Sequence, residues 1–385
     1  METVYLDNGA TTKVDSRVIE SMHEYFTKNY GNASSLHKLG REAKKAIEEA
    51  RKNIAKSINA EPKEIIFTSG GTESDNLAIK GIMEHCIAGK NKHMITSKIE
   101  HPAVLNTCKC LEKQGIKVTY LDVDKDGLIN IEQLKESITQ DTVLVSIMHA
   151  NNEIGTIQPI KKIAKICHEN KVIFHTDAVQ SYTKENIDVK DMDIDMASFS
   201  SHKIHGPKGI GFLYKKQDIH ICPLINGGSH ESGLRPGTEN VPGIIGLAKA
   251  VTVSNNNELN KMKILRNKLI KELKTIPESI LNGHEEKRLV NNVNFCFKYI
   301  EGESLLLHLD NKSIAASTGS ACSSHELKPS HVLLAIGLPA ETAHGSLRLT
   351  LSKYTTEKDI DYAIKNIKEI VANLRELSPL WPRGN

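Results

Sequence analysis

Apolar positions along this chain fall into two rhythms. Short runs that are apolar on successive positions occur at 64–68, 93–96, 118–121, 142–146 and 172–175. Such runs mark strands covered on both faces, as in a mostly parallel sheet. Between them the rhythm lengthens to that of a helix. It is clearest over 36–58, where Leu39, Ala43, Ile47, Ala50, Ile54 and Ile58 share one face and Lys, Glu and Arg fill the rest. Strand and helix in alternation predict an α/β fold. After about residue 250 the pattern changes. Ser254-Asn-Asn-Asn-Glu258 is a polar break, followed by a charged helix over 259–276, strands near 293–297 and 346–351, and an amphipathic helix over 357–377. The expected organisation is a large α/β domain over 15–255 with a mostly parallel sheet. A smaller α+β domain covers 256–385 together with 1–14.

Composition narrows the class. Apolar residues are 39% of 385, about 150 side chains, enough for a sizeable core. The net charge of +3 speaks against a dedicated nucleic-acid or membrane-surface protein. No apolar run approaches the length of a membrane-spanning helix. Met1-Glu-Thr-Val-Tyr-Leu-Asp-Asn8 lacks the basic region and apolar run of a leader. The seven cysteines (86, 108, 110, 167, 222, 296 and 322) are odd in number and scattered, so a reducing cytoplasm is expected.

Ligands of open α/β sheets sit at the carboxyl ends of strands. Four such ends carry chemistry here. Ser69-Gly70-Gly71-Thr72 after the first strand opens a helix, and is either a capped turn or an anion nest for phosphate. It is neither a Walker A loop nor a Gly-x-Gly-x-x-Gly motif. Thr176-Asp177 is either a helix cap or an acid facing a buried cation, such as a protonated pyridine nitrogen. Ser200-Ser201-His202-Lys203 offers a lysine that can form a Schiff base, or a surface lysine in a glycine-rich loop. Glu100-His101-Pro102 offers a histidine to stack on a planar ring and move protons, or one merely packed at a strand end. Gathered in one pocket, these four match pyridoxal phosphate.

With these residues in place, the sequence resembles the fold-type I pyridoxal phosphate enzymes of class V, and within them the cysteine desulfurases of the NifS/IscS kind. The resemblance runs almost end to end, through Tyr5-Leu-Asp-Asn-Gly-Ala-Thr-Thr12, Gly71-Thr-Glu-Ser-Asp-Asn76, His149-Ala-Asn-Asn-Glu-Ile-Gly155, His175-Thr-Asp-Ala-Val-Gln180, Arg235-Pro-Gly-Thr-Glu-Asn240, Ser317-Thr-Gly-Ser-Ala-Cys-Ser-Ser324 and Ser346-Leu-Arg348. It implies that Lys203 carries the Schiff base and moves protons at the substrate α-carbon. Asp177 would pair with the pyridine nitrogen, Gln180 with the ring hydroxyl, and His101 would stack on the ring. Gly71, Thr72, Ser200 and His202 would bind phosphate, joined by Thr238 from the neighbouring subunit of a homodimer. Asn152 would lie near the ring and the substrate carboxylate, and Arg348 would clamp that carboxylate.

Cys322 decides the reaction that the resemblance implies. It lies in a small, polar stretch, where a reactive thiol belongs. L-cysteine would become L-alanine, leaving a persulfide on Cys322 for an iron–sulfur scaffold protein or another sulfur acceptor. No resident metal is expected, and Cys322 is the one candidate ligand to an iron–sulfur cluster shared with such a partner. Cys108-Lys-Cys110, with no second pair, is a poor zinc signal. Two small departures, Gly9 and Gly71 where relatives show Ala, are expected to be harmless. Only Pro-Arg-Gly-Asn385 follows Ser378-Pro-Leu-Trp381, where relatives carry a longer tail that helps dock the scaffold. The competing readings are a selenocysteine lyase or class V aminotransferase without a protein persulfide, and a non-catalytic accessory subunit.

Overall fold

The computed structural model describes residues 3–87, 93–318 and 329–382. Twelve strands are present among them: β1 Val4–Tyr5, β2 Ile65–Thr68, β3 His93–Ser97, β4 Lys117–Leu121, β5 Thr142–Ser146, β6 Ile173–Asp177, β7 Met196–Ser200, β8 Gly211–Lys215, β9 Ser279–Leu281, β10 Asn292–Phe297, β11 Ile314–Ala315 and β12 Ser346–Thr350. Seven of them form the main sheet in the order β2-β8-β7-β6-β5-β3-β4. All its pairings are parallel except those of β8, which runs antiparallel to both β7 and β2. The mostly parallel sheet is therefore as expected. β8 is an addition that the sequence reading did not single out.

The differences at element ends have local causes. β2 begins at Ile65 because Pro62–Glu64 form a 3-10 turn, closed by reciprocal bonds between Glu61 and Glu64. β6 extends to Asp177, so this acid ends the strand itself. The first long helix spans Lys38–Ser57, where the Nδ1 of His37 accepts from the Gly40 N–H at 3.3 Å. It buries Ala43, Ile47, Ala50 and Ile54, the face its periodicity predicts. The charged helix spans Asn256–Leu273, earlier than expected, because Asn255 caps it through the Glu258 N–H. The last helix, Glu357–Leu377, has the expected bounds.

Two apolar cores support the site. Ile54, Phe67, Val145, Phe174, Phe199 and Phe212 are buried in the first. The rings of Phe199 on β7 and Phe212 on β8 stack with centroids 4.4 Å apart. That contact fixes the strand whose end leads to Lys203. The second core gathers Leu6, Leu269, Phe295, Leu305, Leu347 and Ile367 around the antiparallel sheet β12-β10-β9. The chain's first residues join it, since β1 pairs in parallel with β11 and Asp7 bridges to Thr350. This brings Asp7–Thr12 and β12 to the edge of the main sheet.

Candidate active site

β2, β3, β5, β6 and β7 point the same way, so their carboxyl ends and the four candidate turns share one edge of the sheet. Asp177 is buried there. Its Oδ1 accepts from the Val179 N–H at 2.9 Å, and burial raises its carboxyl to about 6. No helix follows Asp177, so this bond closes a local turn and not the helix cap that was the alternative reading. Behind it, His175 bridges Ser146 Oγ and Ser198 Oγ, each at 2.9 Å, and lies 3.8 Å from Asp75 Oδ1. Burial pushes His175 down to about 3, so it is neutral.

His101 caps the helix Pro102–Glu112, its Nδ1 accepting from the Ala103 N–H at 3.1 Å. The ring proton of the neutral form therefore sits on Nε2. Burial, with Lys203 and His331 nearby, lowers its pKa to about 4. Lys203 ends the 3-10 turn that follows β7. Its Nζ donates to the carbonyls of Gly9 at 2.5 Å and Ala10 at 2.8 Å. The surface-lysine alternative falls away, because the first strap of the chain covers this amine. Gln180 Nε2 also donates to Gly9 O, at 3.1 Å, leaving its second amide hydrogen for another acceptor.

At the anion end, the helix Gly71–Ile87 opens directly after Gly70. A Cβ at Gly71 would stand 2.6 Å from Val179 Cγ2 and 3.7 Å from Ser200 Cβ. Glycine at 71 lets Val179 pack against the turn, and a side chain at 71 would require Val179 to shift. Gly9 is less tight, since a Cβ there would lie 3.1 Å from Thr350 Cγ2 and 3.5 Å from Arg348 Cζ. Ser200 is buried, Thr72 is exposed, and His202 Nδ1 lies 3.1 Å from Thr11 Oγ1. Burial, with Lys203, Lys208 and Lys184 around it, holds His202 down at about 4. Thr238 is exposed on its loop.

At the other end, Arg348 on β12 is buried. Its Nη2 pairs with Asp7 Oδ1 at 3.1 Å, its Nη1 donates to the Asn152 carbonyl at 3.3 Å, and its Nε has no partner among the described residues. Asn152 is placed by its neighbour. Asn151 Oδ1 accepts from the Glu153 and Ile154 N–H groups, which makes the turn.

Sequence reasoning missed Glu100. It is buried, accepts from Ser97 Oγ at 2.5 Å and from the Met148 N–H at 3.1 Å, and burial pushes it up to about 8. Its signal was its place before His101 just past a strand end. The Gly9 and Ala10 carbonyls were also missed, and backbone acceptors leave no residue-type signal. Cys108 is buried and Cys110 exposed. No cluster of metal-ligating side chains occurs among the described residues. Cys322 and the Cys86 side chain lie outside them.

The donor set fits pyridoxal phosphate. A lysine amine, a buried acid at a strand end and a glycine cradle beside Ser200 and a helix start share one edge. Bound there, the cofactor would supply an electron sink for the substrate α-carbon.

Comparison with known proteins agrees. The chain matches the family described as aminotransferase class-V over residues 4–363. A protein named cysteine desulfurase IscS from Methanosarcina thermophila is 54% identical over 385 residues, covering 99% of this chain and 95% of the relative. One of the same name from Clostridium botulinum strain Hall is 53% identical, covering 98% and 96%. Of the solved structures, a NifS-like protein is 41% identical with a TM-score of 0.91, covering 97% of this chain and all of that one. Another, described as SspA in complex with cysteine, is 40% identical with a TM-score of 0.83, covering 91% and 99%. The chain therefore belongs to the class-V aminotransferase family of pyridoxal phosphate enzymes, in its cysteine desulfurase branch.

Proposed function

We propose that this protein converts L-cysteine to L-alanine and carries the sulfur away as a persulfide on Cys322. The observation that supports it most is the meeting, at one sheet edge, of Lys203 and Asp177 with an Arg348 whose Nε–H has no partner among the described residues. Lys203 would hold the cofactor and, once displaced, move the proton at the substrate α-carbon. The Gly9 and Ala10 carbonyls keep its amine in place. Asp177 would keep the pyridine nitrogen protonated, Gln180 would bond the ring hydroxyl, and neutral His101 would stack on the ring. Gly71, Thr72, Ser200 and His202 would take the phosphate, with the partner's Thr238 completing it in a homodimer. Asn152 and Arg348 would hold the substrate carboxylate.

The Cys322 thiolate would attack the substrate sulfur. The S–S bond forms as the C–S bond breaks, and the electron pair goes to carbon, which takes up a proton on the way to alanine. The persulfide then serves an iron–sulfur scaffold or another acceptor. We place the enzyme in the cytoplasm and retain the division into 15–255 and 256–385 with 1–14. Among the described residues no helix is long and apolar enough to cross a membrane.

The test is alanine and sulfide release from L-cysteine, with and without reductant. Cys322→Ser is expected to bind L-cysteine with no sulfide release. Lys203→Ala is expected to lose both the visible absorbance of bound cofactor and turnover. Normal sulfide release by Lys203→Ala would sink the assignment. A fully active Cys322→Ser would make the thiol incidental and favour the lyase or aminotransferase reading.

A further inference from the structure

Arg348 is a buried guanidinium, and burying such a cation costs free energy unless carboxylates or carbonyls face it. Two of its three nitrogens are answered from within the chain. Nη1 meets the Asn152 carbonyl and Nη2 meets Asp7 Oδ1. Nε, also buried, faces no partner among the described residues. A guanidinium fastened at its two terminal nitrogens, with Nε–H left over, is oriented for an incoming acceptor.

The position of Asp7 is itself over-determined. Asp7 bridges to Thr350, two residues past Arg348 on β12. Asn8 donates to Thr350 O through both its backbone N–H, at 3.3 Å, and its Nδ2, at 2.8 Å. Thr350 N–H returns to Leu6 O at 2.6 Å. The Ala10 N–H closes a turn onto the Asp7 carbonyl at 3.1 Å. These bonds fix the Asp7 backbone on the strap that also covers Lys203, so its carboxylate starts within reach of Arg348. Glu153, the other acid near Arg348, is occupied by Ser330 Oγ at 2.5 Å. Among the described residues, Asp7 is thus the carboxylate paired with this arginine.

We propose that Asp7 is a positioning residue for substrate: it holds the Arg348 guanidinium in the rotamer that presents Nε–H to the amino-acid carboxylate. Because the strap that carries Asp7 also supplies the two carbonyls on Lys203, carboxylate recognition and the amine share one rigid support. The inference rests on the reading of Arg348 as the carboxylate clamp.

The test uses the cofactor-loaded enzyme and the isosteric Asp7→Asn, which keeps the side-chain volume. KM for L-cysteine is expected to rise about tenfold or more, the usual weight of a charge-assisted hydrogen bond, with kcat within about threefold. Calorimetric binding of L-alanine, which has the carboxylate but no sulfur, is expected to weaken by the same factor. In an Arg348→Ala background, Asp7→Asn is expected to add nothing. A merely structural role would instead lower cofactor content, Tm and kcat together and leave alanine affinity per loaded site unchanged. That pattern, or effects that add in the two backgrounds, would overturn the proposal. If Arg348→Ala itself leaves KM and alanine affinity unchanged, the clamp reading fails. If it weakens both while Asp7→Asn does not, the clamp stands and only the role of Asp7 fails.

Discussion

Glu100 shows how one side chain can hold charge out of the site. It sits next to His101, has two donors, Ser97 Oγ and the Met148 N–H, and is wholly buried. Desolvation wins over those bonds, so its carboxyl titrates at about 8 instead of near the ordinary carboxylate value. Protonated, Glu100 adds no negative charge near Asp177. The sign of the pH effect follows. The folded protein keeps this proton while the unfolded chain gives it up. The stability it contributes is therefore full at acid pH and is lost as pH rises from about 4.5 to about 8. Glu100→Gln mimics the protonated form and cannot ionise. In urea denaturation of the cofactor-free protein, the variant is expected near wild-type stability at pH 5. It should gain on the wild type by roughly 1 kcal/mol per pH unit up to pH 8. Parallel stability curves would show that Glu100 is ionised in the fold.

At the scale of elements, the helix Ser16–Thr27 depends on one cap. Asp15 Oδ1 accepts from the Arg17 N–H at 3.0 Å and from Arg17 Nε at 2.9 Å. Its Oδ2 takes Arg17 Nη2 at 2.7 Å, the Lys353 ammonium and the Tyr354 hydroxyl at 3.2 Å. One carboxylate thus starts a helix and ties it to the segment after β12. The Arg17 and Lys353 cations hold it well below the usual carboxylate range. Its contribution is present above the ordinary Asp pKa and is lost as pH falls below about 4. Asp15→Ala is expected to cost about 3 kcal/mol at pH 7, from a lost cap and an unpaired buried Lys353. Asp15→Asn should recover only the cap's share, about 1 kcal/mol. Both differences should be flat above pH 5 and shrink below 4 in denaturant titrations. A constant difference down to pH 3 would remove the charge from the account. The same element shows where sequence reading stops. The turns at Gly71, His101, Asp177 and Lys203 were legible because unusual polar residues follow apolar strands, and the sheet brings strand ends together. The 36–58 and 357–377 helices were legible from periodicity. β8, β9 and the pairing of β1 with β11 were not, because short strands acquire their pattern from partners far along the chain. Lys353 meeting Asp15, like Gly9 O meeting Lys203, joins distant segments through tertiary packing that no local motif encodes.

At the scale of the whole molecule, the proposed homodimer would complete the phosphate end of each site with the partner's Thr238. Thr238 is exposed on a loop that is tied to the chain's own helix start by Arg235, whose Nε meets Glu73 Oε1 at 2.9 Å. The loop also contains Glu231 and Ser232 with positive φ, of 48° and 58°, a strained backbone held by the bidentate Glu231–Arg51 pair. Such a loop presents Thr238 outward from a fixed base. In a two-fold dimer, a residue presented outward meets the equivalent place on the partner. Mixed dimers separate the two geometries. Lys203→Ala has no site amine, and Thr238→Ala has a weakened phosphate end, so each homodimer is expected to be poorly active. A mixed dimer of the two has one site that lacks both groups. Its other site has Lys203 from one subunit and an intact Thr238 from the other. Unfolding and refolding an equal mixture makes half the dimers mixed, so activity should recover to about a quarter of wild type. If Thr238 serves its own subunit, no site in the mixture holds both groups, and activity would stay at the level of the Thr238→Ala sites alone. Size-exclusion chromatography coupled to light scattering, run on the same samples, fixes the fraction of dimer against which the recovery is read. A monomer throughout would remove the partner's Thr238 from the site altogether.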